Sequence, residues 1–344
     1  MNTGLILGGL VAGPVLASHV VEALRSSPPP PDRLSWAPEI PIHYVALHDG
    51  TRGRYIATGE GPSLVLLHTL RTQLDLFQKV IPALARHNRV YALDYPGHGW
   101  SDIPRAAYSP ELFVRAVSQF LDRLDISDAT LVGESIGGSI ALLLAARRHP
   151  RVRRIVAINP YDYDRGRGLR RSSVLANLIF RASRLPLLGS TVMRLRNPFV
   201  EGRILGGGVH RKEALPAALV REMYAVGNRR GHYQALLSLV RHWPSWEAAR
   251  SEYRAIDRPV LLLYGEHDWS RPAEREANER DIPGVQSRVI PNAGHFVGLD
   301  APDEVIRNIT EFLAPPDRRL PLQQGKLSRP AAAEPHTNKE GARP

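Results

Sequence analysis

The sequence's strongest chemical signal is a serine with glycine two residues to either side, Gly133-Glu134-Ser135-Ile136-Gly137. It follows the apolar run Ala129–Val132 and leads into the apolar stretch Ile136–Ala146. A strand that turns sharply into a helix holds its middle residue in a strained conformation and exposes the hydroxyl, and the glycines leave room for neighbouring backbone. From the start of that helix, the N–H of Ile136 points at the same place, where it could stabilise a developing oxyanion. A serine hydroxyl is a weak nucleophile until a base activates it, and the base needs an orienting group. Most of the 13 histidines, such as His87, His149 and His210, fall at exposed-looking or helix-end positions. His295 differs, because Pro291-Asn292-Ala293-Gly294-His295-Phe296 is a loop straight after a strand-like run. Asp268 closes Leu263-Tyr264-Gly265-Glu266-His267-Asp268, again just past such a run. Glu266 and His267 are the rival acid and base, and their place in the turn suits rim residues better. Ser135, Asp268 and His295 are therefore all expected at the carboxyl ends of strands, where an open parallel sheet places its ligand crevice.

The elements that must position them alternate. Ile42–Leu47 and Arg54–Thr58 suggest a hairpin about Asp49-Gly50. Ser63–His68 is almost wholly apolar, as a strand buried on both faces would be. Arg89–Asp94, Ala129–Gly133, Arg154–Asn159, Pro259–Gly265 and Ser287–Pro291 follow as strands. Helical patterns occupy Gln73–His87, a stretch opened by Ser109-Pro110-Glu111, Ile136–His149, Pro272–Glu279 and Pro302–Leu313. This alternation implies an α/β fold, a mainly parallel sheet with helices on both faces. Residues 161–255 break it, being helix-rich with no clear strand, and suggest a helical cap inserted into a core of residues 42–160 and 256–314.

The chain has 344 residues, 43% of them hydrophobic and 23% charged, which suits a folded protein and excludes a wholly disordered one. No series of apolar spans occurs, which excludes a polytopic transporter. The absence of cysteine excludes disulfide scaffolds, thiolate catalysis and cysteine–zinc sites, and leaves either redox compartment open. The net charge is +11, and residues 161–255, with 17 basic and 7 acidic side chains, carry most of it. Such a field favours anionic surfaces or ligands. No zinc finger, RNA-binding motif or basic zipper is present, so nucleic acid is not an expected partner.

The apolar N-terminal run Gly4–Ala17 is shorter than the about 20 residues that span a bilayer, and no basic residue precedes it. Val15-Leu16-Ala17 supplies a small-residue cleavage pattern. Residues 1–26 thus suggest a membrane anchor or an export signal, with a soluble helix as the third option, and a membrane-associated or exported protein rather than a cytoplasmic one. Residues 27–41, with Pro28–Pro31, suggest a stiff spacer. Residues 315–344, rich in Pro, Arg, Ala and Gln, suggest a disordered tail.

Over roughly residues 42–314 the chain resembles the α/β-hydrolases, of the group with a helical cap between two strands. The resemblance rests on GESIGG at 133–138, YGEHD at 264–268, AGH at 293–295, and the turn Asp94–Asp102, which is similar to the family's D-x-x-G-x-G-x-S. It implies Ser135 as nucleophile, His295 as base and Asp268 as orienter, without metal or cofactor. The family usually has His-Gly after its third strand, and the following loop supplies a second oxyanion donor. Here the run is Leu67-His68-Thr69-Leu70-Arg71, so the donor by position is the N–H of Leu70, and Thr69 replaces the glycine. A β-branched residue is strained at positive φ, so either this loop runs in ordinary extended space or the oxyanion hole is altered. His68, Arg71 and Glu134 are candidate substrate contacts; Arg71 could anchor a substrate carboxylate or serve as a structural arginine. The resembling haloalkane dehalogenases and epoxide hydrolases have aspartate at the elbow. Ser135 points instead to acyl transfer, with a carboxylic ester, thioester or lactone as the expected small-molecule substrate. A C–C bond hydrolase and a cofactor-free haloperoxidase or perhydrolase share that triad. A non-catalytic ligand-binding member of the fold is the alternative of another class, with Thr69 as its best support.

The cap's aromatic residues, among them Tyr161, Tyr163, Phe180, Tyr233, Trp243 and Trp246, would wall an apolar pocket over Ser135. Arg165, Arg167, Arg170, Arg171, Arg181, Arg184, Arg194 and Arg196 interleave with them. They form either a solvated face or a surface that docks on an anionic membrane, with the N-terminal segment as a second tether.

Overall fold

Eight short strands build one sheet in the order β1-β2-β4-β3-β5-β6-β7-β8. They are β1 Ile42–Ala46, β2 Arg52–Thr58, β3 Ser63–Leu67, β4 Arg89–Leu93, β5 Ala129–Glu134, β6 Val152–Ile158, β7 Val260–Gly265 and β8 Gln286–Ile290. The structure, a computed structural model, describes residues 3–314 with the exception of residue 187; the expected tail, 315–344, lies outside the described residues. The β1–β2 hairpin joins the sheet antiparallel to β4, and every other pairing is parallel. Every residue of β5 and β7 is buried, which is why these runs carry no polar alternation. The registers Leu67↔Gly133 and Glu134↔Ile158 align the carboxyl ends of β3, β5 and β6, so the loops beyond them meet at one edge.

Helices cover both faces. Helix Ile136–Ala146 is apolar all round and wholly buried, as a helix between a sheet and further layers must be. Helix Pro302–Leu313 buries only Val305, Ile309 and Phe312 of its apolar residues, a stripe at helical spacing. At about 1.5–3 kcal/mol for each fully buried large apolar side chain, that stripe is what holds this helix to the sheet.

Residues 161–255 are helical, with no strand among the described residues. The expected helix Gln73–His87 is a 3₁₀ turn, Leu74–Phe77, and one turn of helix, Ile81–Leu84. Pro82 has no N–H to donate to the carbonyl of Gln78, and the Leu74 N–H goes to Asp94 Oδ1 at 2.7 Å. Residues 27–41 are not a stand-off spacer: Leu34, Ala37 and Ile40 are buried in the core, and Trp36 Nε1 donates to Asp75 Oδ1 at 2.7 Å. The N-terminal segment forms the helix Thr3–Ala23, packed against the cap helix Leu188–Arg194. Among the described residues no helix is long and apolar enough to cross a membrane, so the expectation of a spanning anchor finds no support.

A buried ion cluster pins the turn between β3 and β4. Arg54 Nη1 donates to Asp75 Oδ2 at 3.0 Å and Asp94 Oδ2 at 3.2 Å, and all three side chains are essentially inaccessible. Burial opposes the charge on Arg54, but the two carboxylates outweigh it and raise the pKa.

Candidate active site

The elbow takes its shape from close approach. Ser135 has φ 60° and ψ −120° between the end of β5 and the helix Ile136–Ala146. A side chain on Gly137 would put its Cβ 2.0 Å from the carbonyl oxygen of Leu67, and one on Gly133 would lie 2.1 Å from that of Gly137. Only glycine lets this helix start against the end of β3, which is what the spacing around Ser135 encodes. The Ser135 N–H is held by the Ile158 carbonyl at 2.8 Å.

The loops after β7 and β8 bring the other two residues to the same edge. His295 Nε2 lies 2.9 Å from Ser135 Oγ, and His295 Nδ1 lies 2.5 Å from Asp268 Oδ1. Ser135 and His295 are fully buried, as is the carboxylate of Asp268. Asp268 Oδ2 also accepts from the Ser270 N–H at 2.9 Å and from the Ser270 hydroxyl. Burial alone would raise the Asp268 carboxyl; the adjoining imidazole and the two Ser270 hydrogen bonds outweigh it and hold the pKa below the ordinary value. Glu266 and His267 are half-exposed rim residues: Glu266 accepts from the Asn292 N–H at 3.0 Å, and the His267 ring stacks on His210 with centroids 4.0 Å apart.

The loop after β3 resolves the question of Thr69. Its backbone is not at positive φ; the left-handed residue of this turn is Arg71, φ 62°. Thr69 is therefore unstrained, and its carbonyl accepts from His68 Nδ1 and the Thr72 hydroxyl, each at 2.8 Å. The N–H groups of Leu70 and Ile136 have no acceptor among the described residues.

The three other expected contacts are placed differently. His68 is buried and structural: burial lowers its pKa to about 3, and its Nε2 accepts from the Tyr95 N–H at 3.3 Å. Glu134 lines neither of the two cavities described below, with Oε1 accepting from the Gly298 N–H at 3.3 Å and Oε2 unpartnered. Burial raises its pKa to about 8. Arg71 is paired with the buried Glu201 of the cap and lines a cavity of about 190 Å³ with Met193, Arg196, His232 and Tyr233. A larger cavity of about 450 Å³, among Arg167, Arg184, Trp243 and Glu247, is lined by no member of the Ser135–His295–Asp268 chain. Among the described residues no group of three or more His, Asp or Glu side chains could hold a metal ion.

Several residues that hold the site gave no sequence signal. Asn159, beyond β6, donates from Nδ2 to the carbonyls of Gly294 and His295 at 3.1 and 3.0 Å and accepts the Gly265 N–H at 2.9 Å. It thereby links the ends of β6 and β7 to the histidine loop. The Trp269 ring stacks on His295, with centroids 3.7 Å and planes 12° apart, and its Nε1 donates to the cap carbonyl of Gly207 at 3.0 Å. Asp300 accepts from the N–H of Gly294 at 2.9 Å and from those of the cap residues His210 and Arg211 at 2.8 and 3.1 Å. An asparagine after a strand, a tryptophan after an aspartate and an aspartate in a helix are common enough that only the tertiary approach reveals their use.

Residues 62–302 match the family model described as the α/β hydrolase fold. The chain belongs to the α/β hydrolases. The hydrolase is 30% identical over 278 residues to haloalkane dehalogenase 2 of Mycobacterium tuberculosis, covering 76% of this chain and 92% of that one. It is 28% identical over 284 residues to the carboxylesterase YbfK of Bacillus subtilis, covering 81% and 89%. Among solved structures it is similar to Cfl2 of Burkholderia cenocepacia, with a TM-score of 0.72, 22% identity and coverage of 83% and 100%, a likeness of fold.

Proposed function

We propose that this hydrolase cleaves a carboxylic ester, or a thioester or lactone, through an acyl-enzyme on Ser135. One observation carries the reading: the unbroken chain from Ser135 Oγ to His295 at 2.9 Å and from His295 to Asp268 at 2.5 Å, with the serine on a strained elbow. In this reading Asp268 accepts the Nδ1–H of His295, which leaves Nε2 free to accept the serine proton. Ser135 Oγ attacks the acyl carbon, and the N–H groups of Ile136 and Leu70 stabilise the oxyanion; each such donor is worth about 10²–10³ in rate. His295 then protonates the leaving alkoxide. Water, deprotonated by the same imidazole, releases the acid and restores Ser135. The low pKa of Asp268 supports this role, because an orienting carboxylate must stay ionised beside the imidazolium that forms. Thr69 gives no support to a non-catalytic member, since the strain that would have altered the oxyanion loop is absent.

The test is covalent labelling by a fluorophosphonate probe, with turnover of p-nitrophenyl esters of increasing acyl length, in the wild type and in Ser135→Ala. Labelling and turnover in the wild type with neither in the variant is the expected result. A wild type that takes no label and turns over no ester refutes the proposal. Turnover of vinylogous diketones, or of peroxide with a carboxylic acid, in place of esters moves the same triad to C–C cleavage or perhydrolysis.

A further inference from the structure

From residue 13 onward the N-terminal helix Thr3–Ala23 is packed with its polarity reversed. Ser18, Glu22 and, just beyond the helix, Arg25 recur at helical spacing and face the cap. Arg194 Nη1 donates to Ser18 Oγ at 3.3 Å, and Arg196 Nη1 pairs with Glu22 at 2.8 Å. Arg25 donates to Asn228 Oδ1 at 2.7 Å and to the carbonyls of Arg194 and Arg196 at 3.0 and 3.2 Å. The opposite face carries Leu16, Val20 and Leu24, again at helical spacing, 68%, 51% and 81% exposed. A helix on a water-facing surface buries its apolar stripe and exposes its polar one. This helix does the reverse, so its outward surroundings should be apolar.

The cap beside it continues the pattern. Helices Val174–Ala182, Leu188–Arg194 and Pro198–Gly206 pack together, and Leu188–Arg194 packs on the N-terminal helix. Val174, Leu178, Leu195 and Phe199 on and between them are exposed. Leu195 also lines the 190 Å³ cavity beside Arg71, so that cavity reaches this face. Single exposed apolar residues need no explanation, but so many on adjoining helices mark an interaction surface. Of the cap's arginines, Arg167 and Arg171 are used on Asp164 and Glu274, Arg196 on Glu22, and Arg194 on Tyr233 and Ser18. Arg181, Arg184 and Arg203 stand exposed on these same helices or their ends, with no carboxylate partner among the described residues.

We propose that the outer face of the N-terminal helix and the adjoining cap helices dock on an anionic lipid bilayer, apolar side chains in the acyl boundary and arginines on headgroup phosphates. Apolar anchors beside unpaired basic residues are the chemistry that such an interface recognises. A second copy of the chain fits less well, because a two-fold contact would set the same arginines against each other. The helix acts as a fixed part of the docking face, tied to the cap by Glu22 and Arg25, and not as a free tether.

The experiment is co-flotation of the full chain with phosphatidylcholine vesicles, with and without phosphatidylglycerol, at low ionic strength. The wild type should float with the anionic vesicles only. Arg181→Gln/Arg184→Gln/Arg203→Gln should bind on the order of a hundredfold more weakly, each charge near the surface being worth about a factor of five. Val20→Glu/Leu24→Glu should lose binding as well. All five positions are exposed, so thermal melts of both variants should match the wild type. Equal binding to both vesicle types, or binding unchanged in both variants, overturns the proposal. So does a wild-type dimer that Val20→Glu/Leu24→Glu dissociates, which gives the face to a second copy. Flotation is read without turnover, so its failure leaves the proposed ester chemistry standing, and the reverse also holds.

Discussion

Replacing Glu134 by glutamine tests the electrostatics of the elbow in one atom. The carboxyl is fully buried, one oxygen accepts the Gly298 N–H, and the other has no partner. Burial raises its pKa from 4.5 to about 8. The sign follows from proton binding. The native state holds a proton that the unfolded state gives up, so the stability present below pH 4.5 is lost as pH rises toward 8. At about 1.4 kcal/mol per pH unit, the cost reaches about 3 kcal/mol at pH 7 and levels off near 5 kcal/mol above pH 8. Glutamine keeps the acceptor for Gly298, puts its amide where a protonated oxygen already lacks a partner, and does not titrate. Urea unfolding near pH 5, 7 and 9 measures the difference. Glu134→Gln should match the wild type near pH 4.5, exceed it by about 3 kcal/mol at pH 7, and exceed it by more above pH 8. Parallel stability profiles for the two proteins would show that Glu134 titrates normally, and the burial argument would fail.

Two further substitutions probe the site and its scaffold. Asp268→Asn should lower kcat on the order of 10⁴-fold with little change in KM, because the asparagine amide favours the wrong imidazole tautomer; steady-state ester hydrolysis reads it, and a loss under tenfold contradicts the orienting role. Arg54→Met should cost about 3–5 kcal/mol in urea unfolding, since it leaves Asp75 and Asp94 buried without their cation, and Asp94→Asn in the same chain should recover part of that loss.

Much of this architecture can be read in the residues, and the exceptions share a cause. The central strands appear because a parallel strand buried on both faces is a short apolar run, as in Leu64–Leu67 and Val260–Leu263, while the antiparallel β1–β2 pair shows through its turn at Asp49-Gly50. The elbow appears because close approach at Gly133 and Gly137 admits no side chain. The helix at Gln73–His87 is misjudged because its apolar positions recur on either side of Pro82, and periodicity does not register a missing N–H. Leu34, Ala37 and Ile40 have no period at all in a Pro-rich stretch, so their burial is invisible until the core is assembled. Asn159 and Trp269 act through groups more than a dozen residues away, and Asp300 ties the histidine loop to the cap, none of which local pattern carries. The N-terminal run looks like an anchor for a related reason: its apolar side chains are evident, while the polar stripe that binds the cap is three residues spread over two turns.

Similarity alone does not choose between the chemistries of the relatives. The chain is 30% identical to a haloalkane dehalogenase and 28% to a carboxylesterase, and the fold serves both. The choice falls to one atom. If Ser135 Oγ displaced a halide from an alkyl carbon, the product would be a dialkyl ether on the protein. That ether has no carbonyl for water to attack, and the imidazole of His295 has no means to cleave it, so the site would be spent after one turnover. Attack on an acyl carbon leaves an ester instead, whose carbonyl presents a second oxyanion to the N–H groups of Ile136 and Leu70 when water arrives. The same serine, base and donors would serve both halves of an acyl cycle and only the first half of dehalogenation, and the proposal of acyl chemistry rests on that difference, since the fold is shared with both relatives.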